Sequence, residues 1–231
     1  MLAESDGKVT TPTIDQTDAL VAALTVISRV LAHPPAAEVL DSLLAEDRLS
    51  EWPVLGHDAL VPAAQQGLVH EGLNQLRASR ISAESQDSVA QDHRSLTVGP
   101  GTLLACPYES VYRSKDGLVF EAETLQVRSW YSRFGLEVPQ LNREPDDHIH
   151  LELEFCAHLL QRGLTALELA DEDDAQRFFS ACAQFCRAHL LVWGPVFFKR
   201  LHDNAATSFY CGVALLGMDL LGRLKTLALP K

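Results

Sequence analysis

The sequence has no run of basic residues and no basic stripe interleaved with aromatics. Acidic residues outnumber basic ones, 31 to 19, for a formal net charge of −12. Such a surface repels a phosphate backbone, so nucleic acid is excluded and a cationic partner is favoured. A membrane-spanning stretch is also absent. The most apolar segment, Phe209 to Leu221, covers 13 residues and already contains Asp219, whereas a helical span needs about 20. It reads as a buried helix, and no stable membrane insertion is expected. The start, MLAESDGKVTTPTID, lacks the basic and apolar regions of a secretory signal, which points to the cytoplasm.

Several site signatures are missing as well. Cys106, Cys156, Cys182, Cys186 and Cys211 include no C-x-x-C pair, and three of them fall within apolar helical patterns. Buried, reduced thiols fit that placement and a reducing compartment. There is no Walker A, G-x-G-x-x-G or G-x-S-x-G motif. Hydroxyl, thiol and imidazole groups occur, yet no spacing assembles a nucleophile with its base. His148, His150, Glu152, Glu154 and His158 could in principle supply metal ligands. However, there is no H-E-x-x-H, and no glutamate has a histidine three residues on, so the di-iron bundle pattern is missing. Asp171-Glu172-Asp173-Asp174 fails the D-D-x-x-D spacing of a magnesium–diphosphate site and reads as a helix-capping cluster. No catalytic, cofactor or metal residue is therefore assigned.

What is present is helical periodicity. Leu20, Leu24, Ile27 and Leu31 form one stripe, stopped by Pro34-Pro35. Val61, Ala64, Leu68, Gly72 and Leu76 form another, and Phe120, Thr124, Val127, Tyr131 and Phe134 a third. Ser82 to Leu96 is polar and reads as an exposed helix ending at Gly99-Pro100-Gly101. Gly135 suits a left-handed helix stop with Leu136 as its hydrophobic contact. A further helix should end near Arg162, with Gly163 as its cap. The next carries two stripes, Phe178/Cys182/Phe185/His189 and Phe179/Cys186/Leu190, and closes at Trp193-Gly194-Pro195; a last one runs from about Ala205 to Leu227. Period-2 alternation is not sustained anywhere. The expectation is an all-α fold of two helical subdomains with a shared core. Residues 1–13 form a loose tail and 14–135 the first subdomain. A proline-bearing acidic connection, 136–147, works as a hinge, and 148–231 form the second subdomain.

The densest chemistry lies at Glu144-Pro145-Asp146-Asp147-His148, which runs straight into Ile149-His150-Leu151-Glu152-Leu153-Glu154-Phe155. Pro145 suits a first helical turn, where its missing N–H costs nothing. Asp146 and Asp147 suit the positive end of a helix, and capping alone would account for them. The same residues also make an acidic rim on an apolar element. Carboxylates bind guanidinium groups through paired hydrogen bonds, so an apolar groove with such a rim could receive a basic, amphipathic segment. Cys106-Pro107-Tyr108-Glu109-Ser110-Val111-Tyr112 reads as a loop-to-helix junction, with Trp52, Trp130 and Trp193 as core residues.

Three segments in order resemble the TorD/DmsD family of chaperones. They are L-A-C-P-Y-E-S-V-Y at 104–112, the E-P-x-D-H segment at 144–148 leading to Glu152–Phe155, and His189-Leu190, Trp193, Pro195 and Phe197. The resemblance covers roughly residues 100–215. It implies an all-helical cytoplasmic chaperone that binds the twin-arginine leader, and the body, of a molybdopterin oxidoreductase subunit and holds it from export until its cofactor is inserted. Matched residue by residue, it places Glu144, Pro145, Asp147 and His148 in the leader-binding region, with Tyr108, Ser110 and Tyr112 lining the same cleft. Family members have been linked to guanine-nucleotide binding, for which this sequence has no phosphate loop. They have also been linked to domain-swapped dimers, which the 136–147 hinge would allow alongside a monomer. An adaptor for some other basic or amphipathic helix, and a small all-α metal-dependent enzyme, are the alternatives.

Overall fold

Thr13 starts the first helix: its hydroxyl accepts from the Gln16 amide, and the Gln16 side chain accepts from the Thr13 amide. This reciprocal cap satisfies two donors that the helix leaves free. The computed structural model describes residues 13–55, 65, 67–114, 118–119, 122–137 and 145–228. Among these, α1 (Ile14–Ala32) is followed by α2 (Ala37–Leu43), α3 (Glu46–Ser50), α4 (Leu68–Ile81) and α5 (Gln86–His93). A π-helical turn at Arg94–Val98 leads to α6 (Glu109–Arg113), α7 (Ala122–Arg133), α8 (Ile149–Glu168), α9 (Glu172–Ala188), α10 (Leu190–Asn204) and α11 (Ser208–Ala228). The fold is all-α. Residues 1–12 of the expected tail, 138–144 of the expected connection, Val61, Ala64 and Phe120 lie outside the described residues.

The packing is strongly non-local. α1 lies along α8, α4 along α11, α9 along α8, and α10 along α11. The α1 stripe of Leu20, Leu24, Ile27 and Leu31 is buried, and so are Leu153, Leu160, Phe185, Phe197 and Leu216 from the later helices. Each such side chain contributes about 2 kcal/mol on leaving water. Gly135 takes a left-handed conformation (φ 71°), and the Leu136 amide donates to the Tyr131 carbonyl at 3.0 Å, the expected helix stop.

Two boundaries and the burial of one segment differ from expectation. α8 runs through Gly163 to Glu168 because Gly163 is a packing residue and not a cap. A Cβ there would lie 2.4 Å from Cε1 of Phe179 on α9. The break after α9 falls at His189, with φ −127° and ψ −88°, and Pro195 sits inside α10. The 82–96 segment is not an exposed helix, since Val89, Ala90, Asp92, His93 and Leu96 are buried. Its polar residues serve α11. Asp92 accepts from the Thr207 amide (2.8 Å) and hydroxyl (2.6 Å), and Glu84 from the amides of Ser208 (2.7 Å) and Phe209 (3.1 Å). Two carboxylates thus occupy the positive end of a buried helix.

Candidate functional site

The first two segments singled out in the sequence are stitched together. Glu109 N–H donates to the Asp147 carbonyl (3.0 Å), and Ile149 N–H donates to that of Pro107 (2.8 Å). This makes a short antiparallel bridge between Tyr108 and His148. Asp147 then ties in two more elements. Its carboxylate accepts from the Ser110 amide at 2.7 Å and from the Thr124 hydroxyl at 2.8 Å. Asp147 therefore caps α6 and pins α7, while the cap of α8 is His148, whose Nδ1 accepts from the His150 amide at 3.2 Å. Asp146 pairs with Arg128, and its carbonyl accepts from the Tyr131 hydroxyl at 3.1 Å.

These carboxylates do not form an open rim. Asp146 and Asp147 are 0% exposed and His148 6%. Three neighbours explain it: Ser110, Thr124 and Arg128 provide internal donors that the sequence spacing does not reveal. Pro145 is buried too, and Glu144 lies outside the described residues. Ser110 is buried, whereas Tyr108 and Tyr112 are half-buried. Tyr108 packs edge-on against His148 with centroids 5.1 Å apart.

The third segment closes on the same cluster through two carboxylates that sequence reading did not assign to the site. Glu109 is 0% exposed, pairs with Arg113 and is hydrogen-bonded to Nδ1 of His189 at 2.9 Å. Glu152, also 0% exposed, accepts from the Trp193 indole N–H at 3.2 Å. Burial, followed by the charge of Glu109, pushes the Glu152 carboxyl well above its ordinary value. The Tyr112 and Trp193 ring centroids lie 5.3 Å apart, and the Arg200 guanidinium sits 5.0 Å from the centroid of the Tyr112 ring. Glu109 and Glu152 stand inside the motifs already noticed. A glutamate facing inward at an apolar helix position was the available signal.

Beside this cluster α1 and α8 leave a cleft of about 730 Å³. Its apolar lining includes Val21, Leu136, Leu151 and Phe155, and its polar lining Glu137, Glu154 and Arg29. His33, His150 and His158 also face it. Ser28 on α1 donates to the His150 carbonyl at 3.2 Å, clamping the cleft floor. Burial, and then the charge of His33, hold His150 down at about 4. His148 is held well below its usual value by burial, followed by His150, His93 and His33. Both rings are therefore neutral at physiological pH. A partly apolar trough whose charged lining is Glu137, Glu154 and Arg29 can accept an apolar segment that carries positive charge.

A family model described as the nitrate reductase delta subunit matches residues 62–199, more than half of the chain. The chain belongs to that family. The three segments at 104–112, 144–155 and 189–197 all lie within the matched range, and the TorD/DmsD resemblance is thereby shown. The chain is 27% identical over 174 residues to the Tat proofreading chaperone DmsD of Salmonella typhi, covering 75% of this chain and 71% of the relative. Similarity to the chaperone protein TorD of Vibrio atlanticus is 28% identity over 190 residues, 82% of this chain and 85% of that one. The TorD of Vibrio cholerae is 30% identical over 151 residues, 65% of this chain and 66% of the relative. No helix among the described residues of this family member is long and apolar enough to cross a membrane.

Proposed function

We propose that this protein is a cytoplasmic chaperone, without catalytic activity of its own, that binds the twin-arginine leader of a molybdopterin oxidoreductase subunit and assists its assembly before export. Family membership supports the class, since two relatives bear the names Tat proofreading chaperone and chaperone protein. The cleft between α1 and α8 is the observation that carries the leader reading. Its apolar wall suits the leader's hydrophobic stretch, and Glu137 and Glu154 suit paired guanidinium groups. The burial of Asp147 makes it a positioning residue: with Pro145 and Ser110 it fixes the α6–α8 junction. Tyr108 and Tyr112 form the half-buried edge of that junction, with His148 buried against the Tyr108 ring, and extend the contact surface toward the body of the client.

Calorimetric titration with a leader peptide tests this reading. Most affinity should come from apolar area, with the exposed Arg–carboxylate pairs adding about 1 kcal/mol. Leu151→Asp should abolish binding, and Glu154→Gln should weaken it severalfold and reduce its salt dependence. A leader carrying Lys-Lys in place of Arg-Arg should bind more weakly than the authentic one. Equal affinity for the two leaders would favour an adaptor for any basic amphipathic helix.

A further inference from the structure

Three cysteines that the sequence spreads over two helices meet in the core. Cys156 of α8 and Cys182 and Cys186 of α9 place all three sulfurs within 4.8 Å of one another. Cys156 Sγ and Cys186 Sγ lie 3.5 Å apart. Cys182 is one helical turn before Cys186, so both thiols project from the same face of α9 toward α8. All three are free thiols, and all three are buried, at 0%, 3% and 0% exposure in chain order. Among the described residues, no other set of three or more His, Cys, Asp or Glu side chains converges in this way.

We propose that this trio is a soft-metal site that takes a single monovalent, thiophilic ion, copper(I), in a three-sulfur arrangement. A metal–sulfur bond of about 2.3 Å in a trigonal plane separates the sulfurs by roughly 4 Å. The spacing here brackets that value, so the site needs only side-chain adjustment. Soft thiol sulfurs select copper(I) over hard cations. Zinc prefers a fourth ligand, and the group contains no fourth side-chain donor; the Cys156 carbonyl, 3.9 Å from Cys182 Sγ, is beyond bonding distance. Each sulfur binds as a thiolate, so loading releases three protons to the buffer and transfers no electron. This site is separate from the α1–α8 cleft and independent of leader binding.

The test is an anaerobic titration with copper(I) buffered by bicinchoninate, offered both to native protein and during refolding from denaturant. One equivalent should be retained, with ultraviolet thiolate-to-copper absorption and an all-sulfur shell by X-ray absorption. Cys156→Ala and Cys186→Ala should each weaken retention roughly 100-fold. The double variant Cys106→Ala/Cys211→Ala, which spares the trio, should bind as wild type. Circular dichroism of each variant checks its folding. Failure to retain copper in both loading arms would overturn the site. So would tighter retention of zinc than of copper, or loss of copper in the Cys106→Ala/Cys211→Ala variant while it remains folded.

Discussion

Asp147 accepts hydrogen bonds from the Ser110 amide and the Thr124 hydroxyl without touching solvent. Replacing it with alanine leaves two buried donors unpaired, and Asp147→Ala should cost about 3 kcal/mol in urea unfolding. Asp147→Asn turns an amide donor toward one of those donors and should also lower the melting temperature. An exposed rim carboxylate would have tolerated either change. Glu152 makes the opposite case. Its folded-state pKa is raised above the ordinary 4.5, so the folded protein binds the proton more tightly than the unfolded chain. The resulting stability is complete at acid pH and is lost as pH rises through the folded value. Glu152→Gln keeps an acceptor for Trp193 and removes the titration. As pH rises above 4.5, the variant's melting temperature should therefore fall less than that of wild type. His150 governs the acid side. Its value is lowered from 6.5 to about 4, so its contribution is complete above 6.5 and disappears as pH falls toward 4. His150→Gln should flatten the melting-temperature profile over that window, as followed by circular dichroism.

At the level of elements, α8 and α9 approach closely enough that Gly163 has the Phe179 ring where a Cβ would be. Gly163→Ala should destabilise by about 1–3 kcal/mol through overpacking, and Phe179→Leu should recover part of that loss in the double variant. Chemical denaturation of the four proteins measures both. The same contact explains why sequence reading stopped α8 too early: a glycine after an arginine looks like a helix end unless the partner ring is known. The stripes on α1, α4, α7 and α9 were legible because 3.6-residue periodicity is a local property. The left-handed stop at Gly135 was legible for the same reason. By contrast, Asp92 and Glu84 look solvated in sequence because the helix they cap begins more than a hundred residues later, as the 115-position separation of Asp92 and Thr207 records.

For the whole molecule, the three recognised segments do converge, but through buried Glu109 and Glu152 and not through an open acidic surface. Local chemistry was visible in the chain, whereas burial depended on partners brought in by the fold. The net charge of −12 should accelerate encounter with a basic leader, so raising salt should slow association more than dissociation. Stopped-flow measurements at two ionic strengths separate the rates. The cleft also constrains when the protein can act during its own synthesis. Its walls come from α1, α8 and the end of α7, and the clamp joining α1 to α8, Ser28 to His150, links residues 122 positions apart. A nascent chain that has released α1 but not α8 therefore carries a bare apolar stripe at Leu20, Leu24, Ile27 and Leu31 and an unformed cleft. Until translation passes α8, the emerging chaperone is itself a candidate for protection by other chaperones.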